Sequence, residues 1–370
     1  MPFCVVKCGY CDFNSFAGSS QHERERVVAA MQRELELRRC RPQTIFLGGG
    51  TPTYLDLALL EQLLETIARC DLSACREWTC EANPESCDTQ TLQLLVDHGV
   101  TRFSIGIQSW DPARLEFLDR PHDRDAAERA YECARATGAA VSLDFIFGVP
   151  GQTLAAWQQE LEHAIELSPD HLSCYQLTFE AGTKLDALRA RGIVEAASDE
   201  HLRDLLLWTR SRLTEAGYLP YEVSNYARPG QECQHNLGYW RGNDYVGIGP
   251  GAASHDRGRR STNLRPLRAY CEAISTSGCA SFDAELLTPE QRTREMVWLG
   301  LRTREGPSFD RIHERTGVDV ETLLATELAD ATQRDDITRT ETGIRVPESR
   351  IPWLDAIAAN FLAAAASTSV

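Results

Sequence analysis

The chain has 370 residues, 42% hydrophobic and 25% charged, enough for two domains or for one barrel-sized domain with an appendage. A net charge of −16 argues against a nucleic-acid partner, because proteins that bind phosphate backbones present basic stripes. No apolar run reaches membrane-spanning length and no leader pattern opens the chain, so a cytoplasmic protein without an integral membrane segment is expected, with peripheral membrane contact left open. Thirteen cysteines are expected as thiols or metal ligands in a reducing compartment, not as a disulfide framework.

The first feature in chain order is a loop carrying Cys4, Cys8 and Cys11 in a C-x3-C-x2-C spacing. Three thiolates on one short loop suit three corners of an iron–sulfur cube, leaving the fourth iron without a nearby cysteine. An open coordination position marks reactive metal centres rather than structural ones. A loop of unrelated thiols is the plain alternative. A structural zinc site would need a second ligand pair, which is not evident. Cys70, Cys75, Cys80 and Cys87 have suggestive spacing, but two fall in a predicted loop and Cys80 in a predicted strand, so small buried hydrophobes are the better reading.

From the start to about residue 223, short apolar runs alternate with amphipathic stretches. Thr44–Leu47, Trp78–Cys80, Arg102–Ile107, Val141–Phe147 and His171–Leu177 read as buried strands. Glu23–Arg39, Leu57–Arg69, Thr89–His98, Arg124–Thr137 and Leu154–Glu166 have helical spacing, with Gly99, Gly138 and Pro169 as stops. This alternation predicts an α/β fold with a parallel sheet and right-handed crossovers, open or closed into a barrel, and a partial (β/α) barrel is the form expected. A helix over Asp199–Ala216 precedes a Gly- and Arg-rich region, 224–285, that reads as irregular. Residues 286–370 change character: predicted helices at Thr288–Leu301, Phe309–Thr316 and Val320–Thr332 and a hairpin over Ile337–Val346 make a smaller α+β, winged-helix-like domain. Asp335, Asp336, Glu341 and Glu348 around the wing argue against DNA reading, and the terminal Ala363–Val370 is expected to fray.

Four segments join the cysteine loop in a fixed order: Ile45-Phe-Leu-Gly-Gly-Gly-Thr-Pro52, Glu81-Ala-Asn-Pro84, Phe103-Ser-Ile-Gly-Ile-Gln-Ser109 and Leu143-Asp-Phe-Ile-Phe-Gly-Val-Pro-Gly151. Together they resemble the radical S-adenosylmethionine (SAM) superfamily, and within it the branch holding oxygen-independent coproporphyrinogen III oxidase and HemW-type heme chaperones. The resemblance runs over nearly the whole chain and makes 1–223 a radical SAM core. It implies that Cys4, Cys8 and Cys11 ligate a [4Fe–4S] cluster whose fourth iron is chelated by SAM. It also implies SAM contacts by Tyr10, Gly49, Gly50, Thr51, Glu81, Gln108, Arg120 and Asp144. Consecutive glycines let backbone approach a ligand closely, and a guanidinium fork suits the SAM carboxylate. A tight βα turn and a solvated arginine are the respective plain readings.

His235-Asn-Leu-Gly-Tyr-Trp240 resembles the H-N-x-x-Y-W signature of the chaperones, which implies heme binding through His235, Asn236, Tyr239 and Trp240. Histidine is a common axial ligand, and aromatic rings suit a porphyrin face. The Gly-rich Tyr245–Ala252 run lacks the acidic residue of a dinucleotide site. Phe13 stands where the oxidase branch carries a fourth cysteine, so the resemblance favours a heme chaperone, with heme and an acceptor hemoprotein as partners, over the oxidase. A SAM-dependent enzyme with an unrelated substrate is the third reading. The strand that relatives place before Pro-Phe-Cys is missing ahead of Met1, which is expected to leave a sheet edge open. Ala253 replaces a histidine of the relatives, with His255 two residues on.

Overall fold

A computed structural model describes residues 1–362, so the frayed end expected at 363–370 lies outside the described residues. A short parallel pair, β1 (Phe3–Cys4) and β2 (Phe16–Ala17), brackets the cysteine loop. The regular alternation follows: α1 (Gln21–Arg38), β3 (Thr44–Leu47), α2 (Leu57–Ala68), β4 (Glu77–Ala82), α3 (Thr89–Asp97) and β5 (Arg102–Gln108). It continues through α4 (Pro112–Phe117), α5 (Arg124–Ala136), β6 (Ala140–Phe147), α6 (Leu154–Leu167) and β7 (His171–Gln176). Then come α7 (Lys184–Ala190), α8 (Asp199–Glu215), β8 (Leu219–Pro220) and β9 (Asn225–Ala227). Side-chain caps from Asp56, Asp88, Asp123 and Thr153 start α2, α3, α5 and α6, satisfying amides that a first turn leaves open.

The central sheet runs β3-β4-β5-β6-β7-β9-β8 and does not close into a barrel. Its first five strands are parallel, while β9 and β8 pair antiparallel at the far edge. Side chains alternate across the pleat and so sort into two faces. One face buries Trp78, Cys80, Phe103, Ile105, Val141, Leu143, Phe145 and Leu172 in a core shared with Leu60, Leu64, Leu92 and Trp157 of the helices. Each such fully buried side chain contributes roughly 1.5–3 kcal/mol. The other face carries Glu77, Glu81, Arg102, Ser104, Ser142, Asp144, His171 and Ser173, and this polar face holds the site.

Residues 224–285 are not irregular. They hold α9 (Gln234–Trp240), then β10 (Ala253–Asp256), β11 (Arg259–Asn263), α10 (Leu267–Ser277) and β12 (Ser281–Leu286). The last three strands form an antiparallel sheet in the order β10-β11-β12. These strands are short and largely polar or exposed, so no apolar alternation announces them.

The C-terminal module has α11 (Pro289–Gly300), α12 (Phe309–Thr316), α13 (Val320–Leu323), α14 (Ala325–Gln333), the hairpin β13 (Thr338–Arg339) and β14 (Ile344–Arg345), and α15 (Leu354–Leu362). It buries its own core, with Val297, Leu301, Ile312, Leu324, Leu328 and Phe361. The single helix expected over Val320–Thr332 is broken at Leu324 (φ −114°, ψ 24°). No helix among the described residues is long and apolar enough to cross a membrane.

Candidate functional site

The cysteine loop is clamped from below by a chain of polar contacts. Arg120 Nη1 lies 3.3 Å from Cys8 Sγ, and Arg120 Nη2 donates to Asn83 Oδ1 at 2.6 Å. Asn83 Nδ2 donates to Thr51 Oγ1 at 2.7 Å, and Thr51 Oγ1 in turn points at Cys4 Sγ, 3.6 Å away. Cys11 Sγ approaches Ser15 Oγ at 4.0 Å. Burial raises the thiol pKa values of Cys4 and Cys11, and the charge of Cys8 adds to the rise in both. Among the described residues no three ligating side chains gather tightly enough for a single metal ion. A cube spreads its thiolates over separate irons, so three half-buried thiols on one loop, with a guanidinium beside them, suit a cluster better than a lone ion.

Arg120 is buried, with Nε lacking a partner among the described groups. Against the pull of burial, Tyr10, Cys8 and Glu85 hold its pKa above the usual arginine value. Burial raises the Tyr10 phenol in turn.

The glycine turn after β3 passes close to the N-terminal residues. The Met1 amine donates to Gly48 O at 2.7 Å, and Thr51 N donates to Phe3 O at 2.7 Å. A Cβ on Gly50 would sit 2.6 Å from Phe3 O and 2.7 Å from Met1 O, and Gly49 has φ +96°. Only glycine meets both demands cheaply. Glu81 reaches up from β4 to accept the Gly49 amide at 2.8 Å, and burial raises its carboxyl pKa to about 7. Gln108 ends β5 at φ +64° beside a register shift, a conformation costing roughly 1–3 kcal/mol that clusters at functional sites.

Asp144 lies in the middle of β6, not at its end, and accepts Ser104 Oγ at 2.6 Å, Ser173 Oγ at 2.6 Å and Ser142 Oγ at 2.9 Å. Burial still raises its pKa. Glu81 and Asp144 therefore share one face, two strands apart, along with the glycine turn and Gln108.

Helix α9 carries the H-N-x-x-Y-W residues and packs on the first strands of the same face. His235 Nδ1 shares a hydrogen bond with Thr44 Oγ1 at 2.8 Å, and Nε2 shares one with Tyr239 Oη at 3.0 Å. Its ring stacks on Phe46 with centroids 5.1 Å apart. Burial lowers its pKa, partly opposed by Glu77, so the imidazole stays neutral. From Phe46 an unbroken row of rings runs through His235, Tyr239 and Tyr245 to His255. Asn236 reaches the Tyr221 hydroxyl, which itself hydrogen-bonds His171 Nε2 at 2.9 Å. Trp240 faces elsewhere, into the seam with the C-terminal module.

Glu77, at the first position of β4, was not legible as a site residue. Its carboxylate accepts the amides of Gln234 and His235, both at 2.9 Å, where the N-cap Cys233 offers no side-chain bond. Glu77 is itself buried and faces the Arg102 guanidinium, 3.7 Å away. A carboxylate opening a buried strand, ahead of a helix whose N-cap is a poor capping residue, is the signal that could have found it. Cys70 and Cys75 stand apart in the α2–β4 loop and Cys80 is fully buried, with no joint ligand set among the described residues.

A model of the radical SAM superfamily matches residues 1–164, and a model of the HemN C-terminal domain matches residues 287–349. The chain is 33% identical over 354 residues to the heme chaperone HemW of Bacillus subtilis, covering 93% of each. It is 41% identical over 284 residues to the heme chaperone HemW of Escherichia coli, covering 74% of each. The solved structure of coproporphyrinogen III oxidase (HemN) from Escherichia coli, a radical SAM enzyme, superposes with a TM-score of 0.84 at 23% identity, covering 98% of this chain and 88% of that one. At that identity the likeness is one of fold.

Proposed function

The chain belongs to the radical SAM superfamily and to its HemW family, and on that premise we propose that it is a heme chaperone that passes heme to acceptor hemoproteins. Cys4, Cys8 and Cys11 would hold a [4Fe–4S] cluster. Gly49, Gly50, Thr51, Glu81, Gln108, Arg120 and Asp144, with Tyr10 beside them, would hold SAM. The chemistry a bound cluster supplies is one-electron reduction of the SAM sulfonium. Glu81 and Asp144 offer half-buried carboxyls to an ammonium or a ribose diol, and Arg120 offers its guanidinium to a carboxylate. In this reading SAM and cluster serve structure or gating, and turnover is incidental.

The observation that carries the heme assignment is the setting of His235. A neutral imidazole, stacked on Phe46 and oriented through Nδ1 by Thr44, presents Nε2 to the hydroxyl of the exposed Tyr239. Phe13 is more than half exposed where a fourth cysteine would mark the oxidase branch, which weighs against porphyrinogen decarboxylation.

Anaerobic reconstitution tests the cluster: alanine at Cys4, Cys8 or Cys11 should abolish the brown chromophore, while alanine at Cys70 or Cys75 should leave it. Heme titration should give stoichiometric binding, weakened in His235→Ala with a shifted Soret band. No conversion of coproporphyrinogen III is expected with SAM under reducing conditions. Robust turnover with heme binding indifferent to His235 would transfer the chain to the oxidase reading.

A further inference from the structure

Residues on an α-helix advance by about 100° each, so His235 and Tyr239 share one side of α9 while Trp240 points well away from His235. Trp240 instead lines a cavity of about 300 Å³ between α9 and the C-terminal module. Met296, Pro307 and Ile312 give that cavity an apolar lining, and Arg241 and Arg311 bring guanidinium groups to it beside one carboxylate, Glu305.

These charges are poorly compensated. The Arg311 side chain has no hydrogen bond or ion pair among the described residues. Its pKa is lowered by burial first and then by repulsion from Arg241 and Arg315, with Glu305 and Glu314 opposing in part. Arg241 pairs with Glu305 at 3.1 Å, but Glu305 is 75% exposed, and such pairs are worth little. Arg315 is already engaged, donating to Gly242 O at 3.0 Å and Asn243 Oδ1 at 2.9 Å. With Arg241 matched by Glu305, Arg311 is the cation of this cavity that lacks a carboxylate of its own, and an arriving anion would supply one.

Resting on the heme reading, we propose that this cavity receives the carboxylate-bearing edge of the tetrapyrrole. A simple inorganic anion would leave Trp240, Met296 and Ile312 unused. A purely apolar ligand would leave Arg311 unpaired. A planar, apolar macrocycle with two carboxylates satisfies both sets of groups, and a cavity of this size admits one edge of it. Trp240 is then a wall of the carboxylate site rather than a partner of the His235 face.

The test is a titration of the full chain with heme and with heme dimethyl ester, followed by Trp fluorescence quenching and by the Soret band. Arg311→Gln should weaken heme binding about tenfold, the scale of one charge-assisted contact, without moving the Soret maximum. Arg241→Gln should add to the loss, and Arg311→Lys should restore part of it. The ester should bind more weakly than heme to the unaltered protein and ignore both arginine changes. Arg311 is exposed, so its variants should melt with the parent protein, which separates the effect from misfolding. Equal binding of heme and its ester, or a double variant that binds heme like the parent, would overturn the proposal while leaving the chaperone reading intact. So would inorganic phosphate quenching Trp fluorescence while heme ignored both arginines. Failure of the parent protein to bind heme at all would remove the chaperone reading itself, and this site with it.

Discussion

Glu81 lies half-buried under the glycine turn, accepting the Gly49 amide. Its pKa is raised from 4.5 to about 7, so the folded protein binds a proton there that the unfolded chain releases. Stability from this group is therefore greatest on the acid side and declines as pH rises between about 4.5 and 7. By pH 8 the ionised side chain costs about 3 kcal/mol. Glu81→Gln should stabilise the ligand-free protein at pH 8 by up to that amount, with the difference vanishing near pH 4.5, as read by urea unfolding at both pH values. Residues of this kind were legible because each carries its chemistry in its immediate neighbours, as Glu81 does in Glu-Ala-Asn-Pro and Gly49 in its glycine triplet. Glu77 was not legible, because its part depends on a helix more than 150 positions later.

Helix α9 has seven residues, too few to persist on its own in water. Glu77 fastens its first turn and is countered by Arg102, which also donates to Gln231 O just upstream. Glu77→Ala should strand the buried guanidinium and leave the first turn uncapped, lowering stability by about 3 kcal/mol in chemical unfolding. Heme binding should weaken in parallel, because the same turn sets His235. Elements of the parallel sheet were legible to within a few residues, since strands buried on one face and edged by capped helices leave a strong apolar rhythm. β10, β11 and β12 left none: Arg259-Arg-Ser-Thr-Asn263 reads as a loop because its partners, not its side chains, make it a strand.

At the scale of the molecule, the C-terminal module is tied to the rest through a few polar contacts. Arg304 N donates to Tyr221 O at 3.0 Å, Arg292 donates to Gly242 O, and Arg210 of α8 forks onto Glu348 at 2.8–2.9 Å. Arg210 is buried while Glu348 is exposed, so Glu348→Ala should cost about 1–2 kcal/mol, seen as a lower melting temperature. The strand order of the parallel sheet came only from the structure, while the sheet itself was implied by the alternation of elements. The antiparallel turn at β9 and β8 was not, since two- and three-residue strands carry too little pattern to orient. The polar face of that sheet has a consequence for how long the protein survives. Burial disfavours the charged forms of Glu81 and Asp144, so a cationic or hydrogen-bonding guest on that face would stabilise the fold. If that guest is the SAM of the proposed function, its supply sets the fraction open to proteases, and cells starved of methionine should clear this protein faster, with a shortened half-life in pulse–chase labelling.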